Sequence, residues 1–62
     1  MWIDGSSMTW LTFVAELQSF SRQVQADGAF AYIRLPRGCE VPARQLIHDL
    51  DISDHVEILN QD

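Results

Sequence analysis

Residues 29–35 of this chain are Ala-Phe-Ala-Tyr-Ile-Arg-Leu. Aromatic and branched side chains alternate along this stretch, so positions 30, 32 and 34 share one face of an extended chain and positions 31, 33 and 35 share the other. The alternation predicts a β-strand. Residues 36–38, Pro-Arg-Gly, follow it directly and predict a turn, because proline lacks a backbone donor and glycine relaxes the backbone.

A helical pattern precedes this strand. Ser7 or Thr9 can cap a first helical turn through a side-chain hydroxyl, and Gly28 supplies the left-handed residue that is common just past a helix end. The spacing predicts a helix that ends at Asp27, with aromatic residues 10, 13 and 20 in the core. Apolar side chains recur at helical spacing at Trp10, Phe13, Val14, Leu17, Phe20 and Val24.

The C-terminal half predicts a second helix and a second strand. Pro42 suits a first helical position, where its missing N–H is unimportant, and the helix is expected to run to about Leu50. Residues 51–54 predict a turn, and residues 55–59 alternate as a final strand with Val56 and Ile58 facing inward.

These elements predict a small α/β fold in the order (β)-α-β-α-β. Trp2 and Ile3 can add a short edge strand, which gives a sheet of two or three strands with both helices on one face. A strand–helix–strand unit makes the last two strands parallel. We expect a single domain over residues 1–62.

Composition restricts the possible classes of protein. Cys39 is the only cysteine, so no intrachain disulfide forms, and a lone thiol fits a reducing, cytoplasmic location. The longest unbroken hydrophobic run is five residues, at positions 29–33, far short of the roughly 20 needed for a membrane span. We therefore expect a cytoplasmic protein with no membrane contact.

Charge is segregated along the chain, which has a net charge of −5. The first 21 residues contain two acids and no base, residues 22–44 contain all four arginines, and the chain has no lysine. Five acids and no base follow residue 44. The acidity is therefore concentrated in the C-terminal segment.

No catalytic or metal site is predicted. A Cys39–His48 dyad is conceivable because Arg34 and Arg37 favour a thiolate, but Cys39 as an ordinary loop residue is the simpler interpretation. Residues 39, 48, 51 and 55 do not have the paired spacing of structural zinc ligands. We expect no enzymatic activity, no metal and no cofactor.

Residues 45–56 resemble the centre of a helix-turn-helix, but the segment that would contact DNA carries three acids and no base. Affinity for DNA depends largely on cationic contacts, so direct binding to nucleic acid is not expected there. Residues 35–42 and 50–58 resemble the swapped-hairpin family of transition-state regulators and antitoxins. That resemblance implies a dimeric DNA-binding protein that uses Arg34, Arg37 and Arg44.

A very small, acidic, lysine-free chain of this kind also resembles phage-encoded inhibitors of the anti-CRISPR type. The resemblance is one of type, carried by chain size and by Asp49, Asp51, Asp54 and Glu57. It implies a non-enzymatic inhibitor that presents carboxylates to a basic, nucleic-acid-handling protein, by mimicry or occlusion. We expect partner contacts at Asp49, Asp51, Asp54, Glu57 and Asp62.

Two aromatic residues are further candidates for partner binding. Trp2 lies near the chain start, and Tyr32 lies on the strand face opposite Ile33, so both can be exposed anchors. We expect a monomer or weak homodimer. A second alternative is a small structural subunit that buries Trp2 and Tyr32 against copies of itself.

Overall fold

The computed structural model describes residues 1–59, which form a three-stranded parallel sheet and two helices. This confirms a small α/β fold. Short 3-10 turns lie at Gly5–Ser7 and Ser53–His55. The second overlaps the turn predicted at residues 51–54 and includes His55, which the sequence assigns to the final strand. The strands are β1 (Trp2–Asp4), β2 (Ala31–Arg34) and β3 (Val56–Ile58), and the helices are α1 (Trp10–Asp27) and α2 (Glu40–Asp49).

Strand β2 is the centre of the sheet. It pairs in parallel with β1 on one side and with β3 on the other. The register places Ile33 between Ile3 and Ile58, and it places Tyr32 between Trp2 and Glu57. Side chains alternate between the two faces of a strand. The cross-strand row through Ile33 and the row through Tyr32 therefore lie on opposite faces of the sheet.

The row that contains Ile33 belongs to the hydrophobic core. Ala31 and Ile33 on β2 are fully buried, whereas Tyr32 and Arg34 are exposed, which confirms the alternation expected for this strand. Val56 and Ile58 are partly buried against the same core. Both helices contribute buried residues, and among residues 1–59 the buried core is Ile3, Phe13, Leu17, Phe20, Ala31, Ile33, Leu35, Ala43, Ile47 and Ile52.

Helix α1 has the boundaries that its sequence predicts. The Thr9 hydroxyl accepts a hydrogen bond from the Thr12 backbone N–H at 3.2 Å, so Thr9 caps the helix. At the other end Gly28 adopts φ 68°, and its N–H donates to the Val24 carbonyl at 2.8 Å. This single bond to a left-handed residue is a common helix ending.

The start of helix α2 differs from the prediction. The helix begins at Glu40 and not at Pro42, which is its third residue. Proline is tolerated there because none of the first four helical N–H groups has a partner within the helix. The Glu40 carboxylate turns back to accept from the Gly38 N–H at 3.3 Å, which helps to fix the entry of the helix.

Strand β2 is also shorter than the predicted seven residues, since residues 29, 30 and 35 lie outside it. The Phe30 carbonyl accepts from the N-terminal amine at 3.2 Å. The Ala29 carbonyl lies 3.2 Å from Nδ1 of His55. Strand β3 is likewise confined to Val56–Ile58, although the Leu59 N–H still donates to the Ile33 carbonyl at 2.9 Å.

Gly5 is required by close packing, and we predict that Gly5→Ala destabilises the fold. An added Cβ would meet the Arg34 carbonyl oxygen and lie 2.8 Å from Cδ1 of Phe13. Overpacking of this kind costs about 1–3 kcal/mol. Denaturant unfolding measures the loss, and Gly28→Asn is the control: nothing lies within 4 Å of a Cβ at position 28, and Asn tolerates positive φ. Equal stability of Gly5→Ala and the wild-type chain would contradict this packing.

Candidate functional site

Helix α2 ends in a Schellman motif that positions the acidic residues after it. The Ile52 N–H donates to the Ile47 carbonyl at 3.3 Å, and the Asp51 N–H donates to the His48 carbonyl at 3.0 Å. Ile47 and Ile52 are both buried, which supplies the apolar contact that usually accompanies this motif. The motif requires a left-handed residue at position 51.

Asp51 occupies that left-handed position with φ 59°, and it is the only residue other than glycine with positive φ among residues 1–59. Glycine is the usual residue there, and Gly28 takes the equivalent place after α1. A left-handed conformation costs most other residues about 1–2 kcal/mol, somewhat less for Asp. A carboxylate is also unfavourable beside the negative end of a helix dipole. Asp51 is therefore unfavourable for stability on two counts.

Asp49, Asp51 and Asp54 form an exposed group that we call the acidic edge. They lie at the end of α2, in the following turn and in the second 3-10 turn. The Asp49 carboxylate accepts from Nε2 of Gln45 at 3.0 Å. Within the described chain, Asp51 and Asp54 have no hydrogen bond or ion pair through their side chains. The fifth predicted acid, Asp62, lies outside the described residues.

Glu57 is separate from the acidic edge, although the sequence groups the four acids together. It is exposed on β3, and the register makes it the cross-strand neighbour of Tyr32. Residues paired directly across two strands point to the same sheet face, so Glu57 shares the face of Tyr32, with the two strands about 4.8 Å apart. The predicted acidic row is therefore divided between an edge and a face.

Three of the six aromatic residues of the chain are exposed together. Trp2, Phe30 and Tyr32 are 51%, 45% and 49% exposed. The Phe30 and Tyr32 rings meet edge to face with centroids 5.5 Å apart. Trp2 pairs with Tyr32 across strands. The structure confirms that Trp2 and Tyr32 are exposed, and it shows in addition that they are adjacent. We call the surface formed by Trp2, Phe30, Tyr32, Arg34 and Glu57 the aromatic face.

The arginines of the middle segment do not lie on one surface element. Arg34 belongs to the aromatic face, where its guanidinium carbon lies 5.7 Å from the centroid of the Trp2 ring. This distance is within the range of a cation–π interaction. Arg37 is exposed in the turn after β2, and Arg44 is exposed on α2. Arg34 is therefore partly engaged within the chain.

The geometry gives no support to a Cys39–His48 dyad. Cys39 occupies the N-cap position of α2 without a side-chain capping bond, and His48 lies in the last turn. The two residues are nine positions apart, which is about 13.5 Å along the helix axis. Among residues 1–59, no group of three or more His, Cys, Asp or Glu side chains is placed to hold a metal ion. The segment that resembles a recognition helix contains a 3-10 turn and strand β3.

Comparison with known protein families, curated proteins and solved structures finds no match to this chain. In the part of the chain that is described, neither helix combines the length and the apolar character needed to cross a membrane.

We predict that Asp51→Gly stabilises the protein by about 1 kcal/mol, whereas Asp51→Ala does not. Both changes remove the carboxylate, but only glycine relieves the left-handed backbone at φ 59°. Thermal and denaturant unfolding of the two variants measure the difference. If alanine were as stabilising as glycine, the effect would come from charge alone, and backbone strain at position 51 would be ruled out.

Proposed function

We propose that this chain is a non-enzymatic, protein-binding inhibitor that presents the acidic edge to a basic, nucleic-acid-handling partner. The observation that carries the proposal is Asp51. A residue that is unfavourable both for its backbone conformation and for its position at a helix end is better explained by a role in binding than by stability.

The electrostatic state of the acidic edge supports the proposal. Asp51 and Asp54 are exposed and have no cationic partner in the described chain. Like charges at this spacing repel one another, and a basic partner removes that repulsion when it binds. Carboxylates on a small rigid scaffold also accelerate association with a basic surface through long-range attraction.

The arrangement of helices is part of the same proposal. The strand order β1-β2-β3 moves in one direction across the sheet, and crossover connections between parallel strands are almost always right-handed. Two such crossovers put α1 and α2 on the same face of the sheet. The opposite face, which carries Trp2 and Tyr32, is then open to a partner.

Inhibition follows from the nature of the partner. A surface that binds nucleic acid is rich in Lys and Arg, whose side chains contact the phosphates. Carboxylates that occupy it exclude the nucleic acid, which is the mode suggested by the resemblance of this chain to anti-CRISPR proteins. We further propose a cytoplasmic monomer or weak homodimer, in keeping with the single unpaired cysteine.

The triple variant Asp49→Asn, Asp51→Asn and Asp54→Asn tests the acidic edge. The immobilised wild-type chain is expected to retain a basic nucleic-acid-binding protein from nuclease-treated host lysate. The triple variant is expected to bind that protein about tenfold or more weakly, because three exposed charge pairs contribute up to about 1 kcal/mol each. Raising salt from about 0.05 to about 0.5 M should weaken the wild-type complex far more than the variant complex. Calorimetry or biolayer interferometry measures both affinities.

A matched control changes net charge equally at a distance from the acidic edge. Glu16→Lys with Gln18→Lys alters the charge by the same amount at exposed positions of α1, and it should retain most of the affinity. Equal losses in both variants would mean that only net charge matters and would contradict the proposal. The proposal would also be contradicted if the partner, saturated with this chain, still bound nucleic acid with its normal affinity.

The DNA-binding alternative has its own test. Exposed Arg37 and Arg44 are the cations that it requires. A dimer in sedimentation that shifts duplex DNA, and loses the shift in Arg37→Ala with Arg44→Ala, would favour it over the inhibitor. We expect no shift, because the net charge of −5 opposes contact with phosphates.

A further inference from the structure

We propose that the aromatic face binds arginine side chains of a protein partner, with a guanidinium stacked on Tyr32 and paired with Glu57. The inference rests on the proposed function, since it names the chemical group of the partner that a second surface of the chain recognises. It concerns Trp2, Phe30, Tyr32, Arg34 and Glu57, none of which belongs to the acidic edge.

The face already contains one guanidinium site within the chain. Arg34 lies over the Trp2 ring at 5.7 Å, and the two residues are diagonal neighbours on β2 and β1. An indole attracts a cation through the negative charge density of its ring face. The contact places one guanidinium within cation–π range of an aromatic ring on this face, at the spacing of two adjacent strands.

The Phe30–Tyr32 pair offers a second aromatic surface of the same kind. The two rings meet edge to face, and in the described chain the only ring within cation–π range of a side-chain cation is Trp2. Glu57 is the strand neighbour of Tyr32, is exposed, and makes no side-chain hydrogen bond or ion pair within residues 1–59. An aromatic ring beside an unpaired carboxylate is complementary to a cation.

Charge favours a basic protein segment over the other possible occupants. The face carries the carboxylate of Glu57, and its one basic side chain, Arg34, is engaged with Trp2. The N-terminal amine beside the face donates to the Phe30 carbonyl at 3.2 Å. Asp4, on the same face, is held by Ser6, whose hydroxyl donates to it at 2.6 Å. Nucleic acid would bring phosphates towards Glu57 and the nearby acidic edge. A second copy would bring another net charge of −5.

Arginine fits this site better than lysine. A guanidinium is planar, so it can stack on Tyr32 and at the same time donate two parallel hydrogen bonds to a carboxylate. An ammonium is a compact, strongly hydrated charge that cannot satisfy both geometries together. Discrimination between the two cations is therefore the signature of the proposed site.

The test titrates the intact chain with an oligo-arginine peptide, an oligo-lysine peptide and an oligothymidylate of equal length. Two-dimensional NMR follows the Tyr32 ring and the Trp2 indole, and calorimetry gives the affinities. We expect oligo-arginine to bind about three- to tenfold more tightly than oligo-lysine, and to shift the Tyr32 resonances. We expect little binding of oligothymidylate.

Variants on the face identify the two contacts. Tyr32→Ala and Glu57→Gln should each weaken oligo-arginine binding about three- to tenfold and abolish the preference over oligo-lysine. Tyr32→Phe keeps an aromatic ring and should retain the preference for oligo-arginine. A loss in Tyr32→Ala but not in Tyr32→Phe would therefore be due to the missing ring contact. Glu16→Gln makes the same charge change as Glu57→Gln at an exposed position of α1, and should leave the preference intact.

The outcomes separate this inference from the proposed function. Equal affinity for the two peptides, no binding of oligo-arginine, or unchanged preference in Tyr32→Ala would overturn the arginine site. The acidic edge would still stand if its triple variant alone lost the natural partner. Tighter binding of oligothymidylate than of oligo-arginine would instead make the face a nucleic-acid surface and overturn the inference.

Discussion

The backbone pairing of β2 on both of its sides is the constraint on which the other features depend. Each strand is only three or four residues long, so a shift of one residue would exchange the buried and exposed sets completely. Burial of Ile33 between Ile3 and Ile58 prevents that shift. The same register necessarily brings Trp2, Tyr32 and Glu57 together on the opposite face.

The two helix ends illustrate how stability and surface chemistry diverge in this chain. Both α1 and α2 finish with a left-handed residue, and the backbone requirement is the same at each end. Gly28 meets it without strain, whereas Asp51 meets it with a carboxylate beside a helix C-terminus. The described part of the chain buries a core of only ten residues, so a penalty of about 1 kcal/mol is a large fraction of total stability. Such a penalty at an exposed position is understandable if the carboxylate contacts a partner.

Local patterns were predictable from the sequence, and long-range ones were not. The alternation of residues 29–35 and the caps at Thr9 and Gly28 predicted β2 and α1 well, because each depends on neighbouring residues. Pro42 gave the wrong start for α2, because proline is accepted at several positions of a first turn. The proximity of Trp2 to Tyr32 depends on a register set across an 18-residue helix, which no local pattern encodes. The sequence likewise groups Glu57 with Asp49, Asp51 and Asp54, because the pairing of β2 with β3 that separates it from them is also a long-range feature.

The acidic edge and the aromatic face are close enough to contact one partner together. Asp54 and Glu57 are three residues apart, so their Cα atoms are separated by at most about 11 Å. That distance is comparable to the Debye length at moderate salt, so charges on both surfaces contribute to one electrostatic field. The acidic edge supplies long-range attraction, which governs the rate of association. The aromatic face supplies stacking and directional hydrogen bonds, which act only at contact and govern the rate of dissociation. A partner rich in lysine would respond mainly to the first surface, whereas a partner that places an arginine over Tyr32 would use both.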